Sequence, residues 1–207
     1  MVLLELCRHP LTDEQVARTD AYAAALGESG PGLEMVRTLV RQGAEQAMAD
    51  YMRNVEAVYG EISEPSLRAE YAHDLAAPDD ALASRVRAMR DLPPGTLGHE
   101  YFAFLDRHGF QFPGETTSAP AVFVAHDMCH VLTGYGTTGE EEIAVGAMQL
   151  ALRDSDAHWI QLLGSLSIHE AGFYDINGFV PKTATLERDG AAALLAEAFR
   201  RGVECTG

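Results

Sequence analysis

The chain has 207 residues, 47% of them hydrophobic and 22% charged, with a formal net charge of -16 at pH 7. That length and hydrophobic share suit one domain with a substantial core and argue against disorder. The acidic balance repels nucleic acid and anionic headgroups, so no nucleic-acid partner is expected and any membrane contact would be peripheral and apolar.

Most of the sequence reads as helix. Thr12-Asp13-Glu14-Gln15 has capping-box spacing and predicts a helix running towards Leu26, with Gly27 as its stop. After Gly30-Pro31-Gly32, the residues Leu33, Val36, Val40, Met48, Met52, Val55 and Tyr59 recur at helical intervals up to Gly60. Pro78-Asp79-Asp80 starts another helix, with Leu82, Val86 and Met89 on one face and Pro93-Pro94 as its end. Leu97 to His108 predicts a helix with Tyr101, Phe104 and Leu105 inward and Gly109 as its stop.

A polar loop follows from Gln111 to Ser118, and Pro120 suits the first turn of the next helix. Gly134, Gly136 and Gly139 break that helix, and helical spacing resumes from Glu140 to Arg153. Two more helices are predicted, about Ser155 to Phe173 and about Thr185 to Arg201. Only Ala121 to Val124 hints at strand. The expected fold is therefore all-α, a single-domain bundle over 1–207 of roughly seven to nine helices.

Cys7, Cys129 and Cys205 are odd in number and widely spaced, so they make no disulfide framework and suggest a reducing compartment. Met1 to Arg8 lacks the basic and apolar regions of a signal peptide, and no run reaches the ~20 apolar residues of a membrane span. A cytoplasmic protein is expected, with contact at the inner membrane limited to its periphery and a homodimer compatible with the sequence.

Chemistry concentrates in His126-Asp127-Met128-Cys129-His130, followed by Glu142. On a helix, His126 and His130 differ by about 40° around the axis, and Asp127 lies about 60° from His130. All three can approach one point, and the glycine-containing turn lets Glu142 face them from the next helix. Two imidazoles with carboxylates suit zinc first, then iron or manganese, over the oxygen-seeking calcium and magnesium. Asp127 either ligates directly or orients a histidine from outside the coordination sphere. Cys129 points away by about 60° or more and reads as a buried, inert thiol.

The same residues allow other readings. The H-E-x-x-H pattern of zinc proteases needs a glutamate where Asp127 stands, so peptide hydrolysis is not expected. His73-Asp74 together with His126-Asp127, with Asp154 or Asp156 to finish the set, gives a second alternative, an HD-type metal-dependent phosphohydrolase. His158 and His169 lie three helical turns apart beside Glu170 and are candidates to line a pocket. Met35, Met48 and Met52 are candidates to line a lipid cavity, although plain core packing is the better explanation of them.

Two blocks together are similar to a known family. His126-Asp127-x-x-His130, eleven residues, then Glu142-Ile143 resembles the H-D-x-x-H-x11-E motif of the ubiquinone biosynthesis protein Coq4. Upstream, Arg90-Asp-Leu-Pro-Pro-Gly-Thr-Leu-Gly98, Glu100-Tyr101 and Phe104-Leu105 resemble its L-P-x-G-T-x-G-x-x-Y-x-x-F segment. The resemblance covers about 89–145.

It implies an α-helical protein whose metal is held by His126, Asp127, His130 and Glu142, with an apolar cavity for a polyprenyl chain. It also implies action on a prenylated aromatic acid, with the ring carboxyl group replaced by hydroxyl, and association with other quinone-biosynthesis proteins. The first alternative is a non-catalytic prenyl-lipid-binding scaffold for those enzymes. One departure bears on the site: Gly139 precedes a run of three glutamates, so Glu140 or Glu141 competes with Glu142 for the ligand position.

Overall fold

A computed structural model describes residues 12–42, 78–115, 124–172 and 183–205. Within them lie helices α1 (Asp13–Leu26), α2 (Pro31–Gln42), α3 (Asp80–Ala88), α4 (Leu97–His108), α5 (Val124–Thr133), α6 (Gly139–Leu152), α7 (Asp156–His169) and α8 (Ala191–Cys205). The described residues hold no strand beyond one isolated bridge between Ala171 and Thr183. The all-α expectation therefore holds. The chain divides into two compact units, Met1–Glu61 with Thr137–Gly207, and Ile62–Gly136.

Local chemistry sets the helix ends where the sequence placed them. Thr12 caps α1, since its Oγ1 accepts from the Gln15 N–H at 3.3 Å and the Gln15 side chain accepts from the Thr12 N–H at 2.8 Å. Gly27 and Gly109 close α1 and α4 in the left-handed conformation, with φ of 70° and 67°. Asp79 caps α3 by accepting from Leu82 N–H at 2.9 Å, and the chain then tightens into a 3-10 turn at Met89–Asp91 before Pro93.

In the Ile62–Gly136 unit, α3, α4 and α5 enclose a small aromatic core. Val86, Tyr101, Phe104 and Leu105 are buried at its centre, and Leu82, Met89, Phe112, Val124, Met128 and Val131 pack around them. Burial of Phe104 and Leu105 contributes about 1.5–3 kcal/mol each.

In the other unit, α6 packs against α7 and α8. Ile143, Ala144, Val145 and Ala147 are fully buried on α6, as Ala157 is on α7 and Ala198 on α8. A helix apolar on every side is a central one, and α6 answers to that description. The Gln161 amide donates to the Gln149 side-chain oxygen at 2.6 Å, pairing two buried polar groups across the α6–α7 seam.

Two sequence expectations change. The helix expected from Thr185 begins instead at Ala191, after a 3-10 turn at Thr185–Glu187. Gly190, at φ 87°, interrupts helical spacing there. Cys129 is half-buried rather than buried, its thiol donating to the Ala125 carbonyl at 3.3 Å. Met48, Met52, Val55, Tyr59, Pro120 and the strand-like Ala121 to Phe123 lie outside the described residues, as do Cys7, His73 and Asp74.

Candidate metal centre

The donor helix is α5, and its two histidines behave as the spacing requires. The imidazoles of His126 and His130 meet edge to face, ring centroids 4.9 Å apart and planes at 78°. Their Nε2 atoms stand 3.1 Å apart. Tetrahedral coordination with bonds of about 2.0–2.1 Å puts two nitrogens about 3.3 Å apart, so the pair fits a shared cation with little rearrangement.

The anchoring of His130 supports that fit. Its Nδ1 lies 2.8 Å from the Gly136 carbonyl, which accepts and therefore places the ring proton on Nδ1. With the proton on Nδ1, the Nε2 of His130 presents its lone pair towards the Nε2 of His126, and a histidine fixed through its other ring nitrogen is the usual arrangement in metal sites. His130 is buried, and Phe104 stacks on it with centroids 5.5 Å apart and an interplanar angle of 20°. Gly134, at φ 74°, ends α5 and returns the chain so that Gly136 reaches the ring.

Asp127 lies on the same helix, one residue after His126. The hydroxyl of the fully buried Tyr101 donates to its Oδ2 at 3.5 Å. Burial, and then the nearby Asp127 carboxylate, push the Tyr101 phenol well above its ordinary pKa, so it stays a proton donor at neutral pH.

The run of three glutamates resolves into three roles. Glu140 pairs with Arg188 at 3.1 Å. The Glu141 carboxylate accepts from the Thr138 hydroxyl at 2.7 Å and from its N–H at 3.1 Å, closing the N-terminus of α6. Glu142 is the one that turns inward, at 8% exposure.

Of the secondary candidates, His158, Glu170 and Asp154 have structural duties, and His169 takes part through its backbone carbonyl. His158 Nδ1 lies 2.8 Å from the Arg153 carbonyl and 3.1 Å from Ser155 Oγ, at the start of α7. Glu170, buried at the end of α7, accepts from the Leu186 N–H at 2.7 Å, and Thr185 donates its hydroxyl to the His169 carbonyl. Both contacts hold the turn that precedes α8. Asp154 accepts from the Trp159 indole at 2.8 Å, while Asp156 sits in the first turn of α7.

Two contributors were not legible as site residues. Phe104 is legible as core and as part of the family-like segment, but nothing in a sequence says that an inward ring will face an imidazole. The Gly136 group that anchors His130 is a backbone carbonyl, and residue identity carries no signal for it.

Fold and donor pair together define an all-α protein with a candidate metal-binding helix. Among known proteins the chain is similar to the ubiquinone biosynthesis protein COQ4, mitochondrial, of Podospora anserina, at 32% identity over 77 residues. That match covers 30% of this chain and 25% of the relative, so the chain spans about a quarter of the length of the curated relative it matches. It supports a distant Coq4-like relationship over part of the chain. No family model and no solved structure matches.

Proposed function

We propose that the chain is a divalent-metal protein of ubiquinone or related prenyl-quinone biosynthesis, with His126 and His130 as metal ligands and Asp127 and Glu142, the carboxylates of the sequence motif, as candidates for the remaining positions. The observation that carries the reading is the convergence of the two Nε2 atoms while His130 Nδ1 is tied to the Gly136 carbonyl. Among the three glutamates Glu142 alone keeps the motif spacing to His130, while Glu140 pairs with Arg188 and Glu141 with Thr138. The partial likeness to COQ4 supplies the biosynthetic context.

The substrate class is a prenylated aromatic acid. A divalent ion in such a nitrogen and oxygen site polarises a ring carboxylate or a neighbouring phenol when bound, and zinc is the first choice, with iron or manganese following. The protein's own part is to aim His126 and His130, to supply Glu142 and Asp127 as compensating charge, and to direct the Tyr101 hydroxyl at Asp127. No helix of the described residues is long and apolar enough to cross a membrane. Access to a prenyl substrate would then come from peripheral contact or from other quinone-biosynthesis proteins.

Elemental analysis beside circular dichroism tests the ligand set. Wild-type protein should carry about one equivalent of metal, and His130→Ala should lose it while keeping its helical spectrum. Full metal retention in His130→Ala would remove that residue from the site. Metal-loaded wild type should also convert a prenylated hydroxybenzoate, followed by mass spectrometry. Tight lipid retention without turnover would favour the scaffold reading instead.

A further inference from the structure

One face of α4 meets one face of α5 in step. Tyr101 and Phe104 are three residues apart on α4, and their partners Asp127 and His130 are three apart on α5. From this register we propose that Tyr101 and Phe104 are positioning residues for the metal donors, a role that rests on the metal reading above.

The physical case begins with the His130 ring. Its hydrogen bond to the Gly136 carbonyl, at 2.8 Å, fixes one direction in the ring plane. The imidazole can still roll about that axis, and rolling swings Nε2 away from the Nε2 of His126. The stacked Phe104 ring, 20° from coplanar, removes that freedom.

Phe104 is itself held on other sides, by His108 at 4.7 Å between centroids and by Phe110 edge-on at 6.0 Å. Tyr101 acts on Asp127, the candidate carboxylate donor of the same helix. Its hydroxyl, fully buried and at the outer limit of hydrogen bonding, limits where the Asp127 carboxylate can turn. The donors are thereby oriented before any cation arrives, and less ordering is required at binding.

The test is zinc affinity of the full chain, by competition with a chromophoric chelator, together with the visible spectrum of the cobalt-loaded protein. Phe104→Leu and Tyr101→Phe should each weaken zinc binding about 10-fold to 100-fold, the usual effect of losing a support behind a ligand. Both should alter the cobalt bands, which a merely structural loss would not do in protein that remains folded. Phe104→Tyr, which keeps the ring, should retain the wild-type spectrum.

Should Phe104→Leu fail to fold, Phe104→Met carries the same measurement. Wild-type affinity and cobalt bands in folded Phe104→Leu (or its Met substitute), or in Tyr101→Phe, would overturn the role of that residue. His126→Ala, run in parallel, separates this inference from its foundation. If it too binds zinc normally, the metal reading fails. If it loses zinc while the α4 variants do not, only the positioning role fails.

Discussion

The two units solve the problem of packing helices in opposite ways. Around α4 and α5 the space is filled by large side chains, with Tyr101, Phe104 and Leu105 buried between the helices. Around α6, backbones are drawn together by small residues. A Cβ at Gly202 on α8 would stand 2.4 Å from the Met148 carbonyl oxygen and 2.7 Å from Ala151 Cβ. Rings orient their neighbours, as Phe104 does for His130, whereas close backbone contact holds a whole helix in place. The first arrangement should be sensitive to losing atoms and the second to gaining them.

Leu105→Ala is the stronger test of the first half of that contrast. Leu105 is 2% exposed at the centre of its cluster, so truncation leaves a cavity as well as losing transfer energy. A loss of about 2–5 kcal/mol is expected from denaturant unfolding. A cost below 1 kcal/mol would mean that the aromatic core collapses easily and does not orient its rings.

Gly202→Ala tests the second half. The added methyl would also meet the Leu152 backbone nitrogen at 2.9 Å, and backbone atoms of a central helix cannot swing aside as a side-chain end can. Helix propensity favours alanine by about 1 kcal/mol, but overpacking by a methyl typically costs about 1–3 kcal/mol. Net destabilisation of about 1–2 kcal/mol is expected, read from the denaturation midpoint at constant m-value. Stabilisation in its place would show that α8 is free to move off α6.

Legibility in the sequence followed the range of the physics. Helix ends at Thr12, Gly27, Asp79 and Gly109 were readable because caps depend on residues within one turn. The inward set Tyr101, Phe104 and Leu105 followed from periodicity alone. The His126 and His130 pairing was readable for the same reason, both residues lying on one helix face. The separate engagements of Glu140 and Glu141 were not, because one depends on Arg188, 48 positions from Glu140, and the other on a cap formed with Thr138. The late start of α8 was missed because Leu186 and the residues after it keep plausible helical spacing, while Glu170 and His169 hold Thr185 and Leu186 in a turn.

Gly98→Ala gives the smallest expected effect and separates the two kinds of packing most sharply, since it adds a methyl group just as Gly202→Ala does. Gly98 lies in the first turn of α4, and its added Cβ would come within 2.6 Å of Leu92 Cδ1. That atom is the far end of a side chain that is 43% exposed, so it can rotate into solvent. Its remaining close neighbours, Met89 Cγ at 3.6 Å and Sδ at 3.7 Å, are ordinary contacts of a flexible side chain. Alanine's helix preference, worth about 0.5–1 kcal/mol in a helix interior and less in a first turn, offsets the rearrangement. The variant should unfold within about 0.5 kcal/mol of wild type. A loss matching that of Gly202→Ala would show that α4 too is held by backbone approach, and the contrast between the units would disappear.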